Sequence, residues 1–428
     1  MKINSNLILS PGFKVVLLYL VITYVPSFIF SIFFLDDFRE NFYGFERDLY
    51  WLPMLLIVPI LGLVLLLDKF TPKLSGNGII GQLCPYRYRL MNYVLVIAFL
   101  YCSFRFYTEY GLQFIHTGDS LADSAGFVKF FYALKVYFNL FLLYELINLL
   151  ILKERFNNQF LLYIILLLCS LLGLSGSMDV VYLFFVLTLI VVPNNKIIKA
   201  FSTQSNKKNG LFKKATVLIS CFLVGVIVVF VGYANKFGAE ETIDLFTNRD
   251  FFYTLILPTL IRFANSYSSF ICVANEYLWD LPMEMKAISI PFDVLKYRLS
   301  VISGFAGDKP EIFNVSRLNY LNTYKYFHIK AGASPGLLGS TLYIPFFPFN
   351  LFILSFYLLY IIRTINKVFD KKMPITGILI IFIFIIPLFE SPIDYLIFID
   401  PSVISLILFI LTMRSFIDVK MNDLQYHS

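Results

Sequence analysis

The chain has 428 residues, of which 58% are hydrophobic, 18% aromatic and only 15% charged, and its mean hydropathy is +0.75. A soluble domain carries about a quarter of its residues as charges, so this composition excludes a soluble enzyme and describes a polytopic membrane protein. The net charge of +7 is scattered through links between apolar runs, which argues against a nucleic-acid-binding surface.

The first apolar run, Phe13 to Leu35, is too long for a signal-peptide core and lacks a small-residue cleavage site, so it is expected to stay as a helix. At roughly 20 apolar residues per crossing, the chain reads as ten spans. They lie near 13–35, 50–67, 90–108, 127–152, 159–175, 178–193, 215–234, 342–362, 374–389 and 393–413. The expected fold class is therefore an all-α polytopic membrane protein with ten to twelve spans and one large extracytoplasmic loop. Its parts are a membrane domain at 1–234, a loop at 235–341, and three last spans with a short tail at 342–428. Trp51, Tyr93, Tyr163, Tyr182 and Tyr343 fall near span ends, where aromatic rings favour the interface.

Orientation follows from Lys and Arg in the short links. With the N-terminus in the cytoplasm, the inner links carry twenty such residues and the short outer links only Arg39 and Arg47. Both termini are thus expected inside and the long loop outside. The Lys-rich link from Lys196 to Lys214 reads as a topology signal and anionic-lipid contact.

Phe251 to Leu278 is apolar enough to resemble a further span, but a single extra crossing would put the Arg363–Lys372 cluster outside. Arg262, Asn265, Ser269 and Glu276 fall within about 60° on a helical projection. The stretch therefore reads as an amphipathic helix lying on the outer surface or dipping into it, bent at Pro258. After it, frequent Pro and Gly predict short helices and tight turns.

The five cysteines, Cys84, Cys102, Cys169, Cys221 and Cys272, place only one thiol in the long loop, so no disulfide framework is expected there. Three histidines, His116, His328 and His427, give no zinc spacing, and neither metal nor cofactor is expected. GNGIIG at Gly76–Gly81 matches a dinucleotide pattern but lies between two membrane helices without a βαβ unit, so it reads as a turn. Asp36-Asp37, just after the first span, could hold a cation or simply mark an interfacial helix end.

The long loop carries ten basic and ten acidic residues, a balance that disfavours a general polyanion surface. Single arginines can still serve a phosphate, because the guanidinium fork matches its oxygens. Arg262 is the first candidate, then Arg317 and Arg298; a solvated or ion-paired arginine is the plain alternative for each. Arg105 and Lys135 lie within or near the outer ends of spans three and four, where a charge usually faces a cavity or a partner. His328, the loop's single histidine, could act as a general base, with Glu276 and Asp308 as carboxylate alternatives.

SPGLLGSTLY, Ser334 to Tyr343, entering an aromatic span behind a large outer loop, resembles the Wzy-type oligosaccharide repeat-unit polymerases of O-antigen and capsule synthesis. LSGSMD, Leu174 to Asp179, is a second likeness, with Met178 where related polymerases and ligases often have arginine. His328 to Gly339 is spaced like the histidine-to-glycine motif of O-antigen ligases, with Ile329 where a polar residue is expected. The resemblance implies a fold similar to GT-C transferases and the O-antigen ligases, working at the outer face of the bacterial inner membrane. It implies metal-independent glycosyl transfer between glycans linked to undecaprenyl pyrophosphate, with a chain-length regulator as a further partner. Arg262, Arg317, Arg298, Lys135 and Arg105 would then bind pyrophosphate, and His328, Glu276 or Asp308 would serve as base. An O-antigen ligase, a polyprenyl-phosphate-sugar glycosyltransferase and a lipid-linked oligosaccharide flippase are the alternatives.

Overall fold

The computed structural model describes residues 5–71, 85–110, 137–146, 161–167, 238–250, 252–277, 281–302, 310–324 and 333–369, with a few single positions besides. Among the described residues the secondary structure is helical, with no strand. After a single turn at Ser5–Ile8 come α1 (Pro11–Phe33), α2 (Leu35–Asn41), α3 (Leu52–Phe70) and α4 (Pro85–Tyr110). Then follow α5 (Ala239–Thr247), α6 (Leu257–Phe263), α7 (Asn265–Tyr277), α8 (Leu281–Ile302), α9 (Val315–Tyr324), α10 (Gly336–Thr341) and α11 (Asn350–Phe369).

Two of these helices, α1 and α3, are long and apolar enough to cross a membrane. Their positions match the first two expected spans to within three residues at each end, and α4 overlaps the third. Over the eighth expected span, 342–362, helix α11 starts only at Asn350, because Pro345 and Pro348 interrupt the apolar run. Spans four to seven, nine and ten lie wholly or largely outside the described residues.

The chain divides into two compact units. One gathers 1–76, 252–366 and 380–403; the other gathers 77–251, 367–379 and 404–428. In the first, α1, α3 and α11 are stapled at one end. The backbone N–H of Gly12 donates to Asn366 Oδ1 at 2.8 Å, and a Cβ on Gly12 would lie 2.2 Å from the Ile362 carbonyl oxygen. Glycine is thus required for the helices to approach so closely. Arg363 forks onto Asp68 Oδ1 at 2.8 and 3.1 Å, and its Nη2 also reaches the carbonyls of Asp68 and Thr71. This one side chain therefore neutralises a half-buried carboxylate and caps the last turn of α3.

At the other end of the first unit, α7 packs against α1, α3, α9 and α10. Residues 252–277, expected as one amphipathic helix lying on the outer surface or dipping into it, are helical but in more than one piece. A π-helical turn at Phe252–Ile256 leads into α6, the chain breaks at Ala264, and α7 follows with Tyr267 to Ala274 buried. The bend sits at Ala264 and not at Pro258. Pro258 is the second residue of α6, where a missing N–H breaks no bond within that helix. Short helices were also expected around Pro282 and Pro291, yet α8 runs 22 residues through both. Pro282 occupies its first turn, and only Pro291 lies in its interior.

The second unit, among the described residues, is held by aromatic contacts. Phe99 of α4 stacks on Phe138 at 4.2 Å, and Phe409 meets Tyr137 and Tyr144 edge-on.

Candidate functional site

The polar groups of the first unit converge where 333–343 meets α7 and α9. Pro335 precedes Gly336, whose φ of 64° lies in the left-handed region that favours glycine. Absence of a side chain there also matters sterically, since a Cβ would lie 2.6 Å from Ser266 Cβ. The turn is locked from outside: the Leu338 N–H donates to the Tyr24 hydroxyl at 3.0 Å, inside the helix bundle. Ser340 and Thr341 return their hydroxyls to the carbonyls of Gly336 and Leu338. Asn350, opening α11, donates to the carbonyls of Thr341 and Ile344 at 2.6 and 2.8 Å.

α9 supplies most of the remaining polar atoms. Asn314 caps it, accepting the Arg317 N–H at 2.7 Å. Asn319 donates to the Ala333 carbonyl at 2.8 Å and accepts from the Tyr343 hydroxyl at 2.8 Å, which in turn accepts from Asn322 at 3.3 Å. Ala333 N–H pairs with the Ser316 carbonyl at 3.0 Å. From α7, Ser266 donates to the Ser334 carbonyl at 3.3 Å, and Asn265 accepts the Tyr324 hydroxyl at 3.1 Å.

Arg317 is the largest fully buried side chain described, with 2% of its surface exposed. Its guanidinium carbon lies 5.5 Å from the centre of the Tyr320 ring, near enough for cation–π attraction. Behind Tyr320 the rings continue through Tyr324, Phe42, Phe38 and Phe45, with successive centroids 5.0 to 5.8 Å apart. A permanent cation placed against so apolar a wall is costly to bury and pulls strongly on any anion that reaches it.

The other candidate residues fall in different places. Glu276 is exposed at the end of α7, beside Asn275, which donates to the Gly44 carbonyl at 3.3 Å. Arg262 sits on α6 and Arg298 on α8, but their side chains lie outside the described residues, as do Asp308, His328 and Lys135 altogether. Arg105 belongs to the other unit and pairs with Glu109 one helical turn away at 2.6 Å, an ordinary exposed helix pair. Asp36 and Asp37 open α2, where carboxylates suit the helix dipole. The structure thus joins Arg317 to the SPGLLG turn through α9.

Sequence reasoning missed Tyr24, Ser266, Asn319 and Asn322, and read Tyr343 only as an interfacial ring at the end of SPGLLGSTLY. One signal was available for α9: Ser316, Asn319, Asn322 and Thr323 share one side of Val315–Tyr324, and amides and hydroxyls gathered on a packed helix need partners.

No family model, curated protein or solved structure matches this chain.

Proposed function

We propose that the chain is a membrane-embedded glycosyltransferase that joins lipid-pyrophosphate-linked oligosaccharide units at the outer face of the bacterial inner membrane, in the manner of the Wzy-type polymerases. The observation that carries this reading is the burial of Arg317 beside the SPGLLG turn. A guanidinium held there suits a diphosphate leaving group, whose charge grows as the glycosidic bond to it breaks. Arg262 and Arg298 are further cations of the same loop, and His328, Glu276 or Asp308 would take the proton from the attacking hydroxyl.

The test replaces Arg317 with Gln and with Lys in the bacterium that carries the gene, and compares surface polysaccharide on a gel at matched protein level. The polymerase reading expects long chains to vanish in Arg317→Gln while single repeats persist. Unchanged chain length in that variant removes Arg317 from the mechanism. Deleting the gene separates the alternatives for an O-antigen product: one repeat left on the lipid core means a polymerase, and a bare core means a ligase or flippase.

A further inference from the structure

Residues 252–277 go in and come back on one side of the first unit. The Phe252 ring lies 5.9 Å from that of Phe34, at the C-terminal end of α1. Ten residues back along α1, about 15 Å down its axis, the Tyr24 hydroxyl holds Leu338. There a Cβ on Gly336 would stand 3.7 Å from that hydroxyl and 2.6 Å from Ser266 Cβ. The break at Ala264 is therefore level with the middle of α1. From it α7 climbs 11 residues, about 16 Å, to where Asn275 meets Gly44, in the link that follows α1 and α2.

Residues 333–341 reach the same depth. Ala333 is paired to Ser316 and Asn319 near the start of α9, while the last turn of that helix is tied to the link above α1 by the Tyr43 N–H on the Thr323 carbonyl.

We infer that 252–277 is a re-entrant helical hairpin, and that its tip meets a second re-entrant segment, 333–341, near the middle of the bilayer. This rests on the reading that α1 and α3 cross a membrane. Broken backbone at that depth needs partners inside the protein. It has them: the Ser334 carbonyl accepts from Ser266 and Asn265, Ala333 is bonded at both N–H and carbonyl, and Leu338 donates to Tyr24. The tips form a polar seam of Asn265, Ser266, Ser334, Asn319 and Tyr343, and the Tyr324 hydroxyl reaches Asn265 from the last turn of α9. Through Ala333 the seam positions Arg317, which places this buried cation within the outer half of the membrane and not in the aqueous space above. Paired half-helices of this kind are built where a polar group is received inside a bilayer. The group received here is the anionic head of a membrane-resident lipid, presented from the outer leaflet.

The test uses the full chain with its five native cysteines replaced by alanine. Single cysteines at Tyr253 and Glu276, both exposed, are treated with a membrane-impermeant maleimide on intact cells and on inverted vesicles. Labelling of both from the outside alone is the expected result. Labelling from opposite sides overturns the hairpin and makes 252–277 a crossing. Asn265→Cys with Ser334→Cys should form a disulfide on mild oxidation, and failure to do so overturns the meeting of the tips. Fluorophores at Val21 and Ile29, exposed on α1, should be quenched by lipid-borne nitroxides. Absence of quenching there sinks the membrane reading itself, and so is distinguishable from failure of the hairpin alone.

Discussion

Gly336 and Ser266 set the closest approach at the seam, and the two parts of the glycine requirement can be separated. Gly336→Ala should cost about 1–2 kcal/mol for the left-handed backbone alone, plus the displacement of Ser266. Once the cost of Ser266→Gly alone, which loses the bond to Ser334, is subtracted, adding it to Gly336→Ala should recover the steric part and leave the backbone part, read as unfolding midpoints in detergent. No recovery would mean that the crowding at 2.6 Å is relieved elsewhere. Tyr24→Phe removes the acceptor for the Leu338 N–H and should cost about 1–3 kcal/mol, because a buried donor is left unmade. An unchanged midpoint would show that a water replaces the hydroxyl. Arg317 could be picked from the sequence as a scarce cation in a phosphate-sized role, but its burial could not. Periodicity marks an inward face only when the other face is exposed, and Val315–Tyr324 is buried on every side, at Asn319 and Thr323 as well as at Leu318 and Tyr320.

The staple between α3 and α11 is a partly buried ion pair with side-chain exposures of 13% and 9%. Removing one partner strands the other, so Arg363→Met and Asp68→Leu should each destabilise more than the double replacement does. A thermal-shift cycle over the four proteins measures this; additive effects would show the pair to be uncoupled. In the link-by-link charge count Arg363 was only an inner-side topology signal. The structure gives it a second role that no count can show, because Asp68 lies 295 residues away. Element boundaries were legible where an apolar run was uninterrupted, as in α1 and α3. They were not legible where proline lay inside the run. Pro258 and Pro282 occupy first turns and break nothing, while Pro345 and Pro348 delay α11. Local sequence shows a proline but not which turn of a helix it will occupy.

The first unit is assembled from distant stretches: α1 and α3 belong with 252–366, not with the residues that immediately follow them. A chain ended at residue 250 should therefore be cleared faster than the full chain in a pulse–chase, since α1 and α3 would lack α7 and α11. Equal half-lives would mean that the first helices are stable without them. The overall helical plan was readable from composition and hydrophobic run lengths. The pairing of first helices with late ones was not, because contacts across such separations leave no periodic mark.

The clasp of Arg363 on Asp68 also imposes a schedule. A ribosome adding about 5–20 residues per second reaches position 363 roughly 15–60 s after position 68. For that interval the acidic end of α3 and the bare backbone notch at Gly12 stand without their eventual partners. The newborn protein must be shielded through this wait, so its yield should depend on the cell's insertion and quality-control machinery more than that of a protein whose neighbours in space are neighbours in sequence.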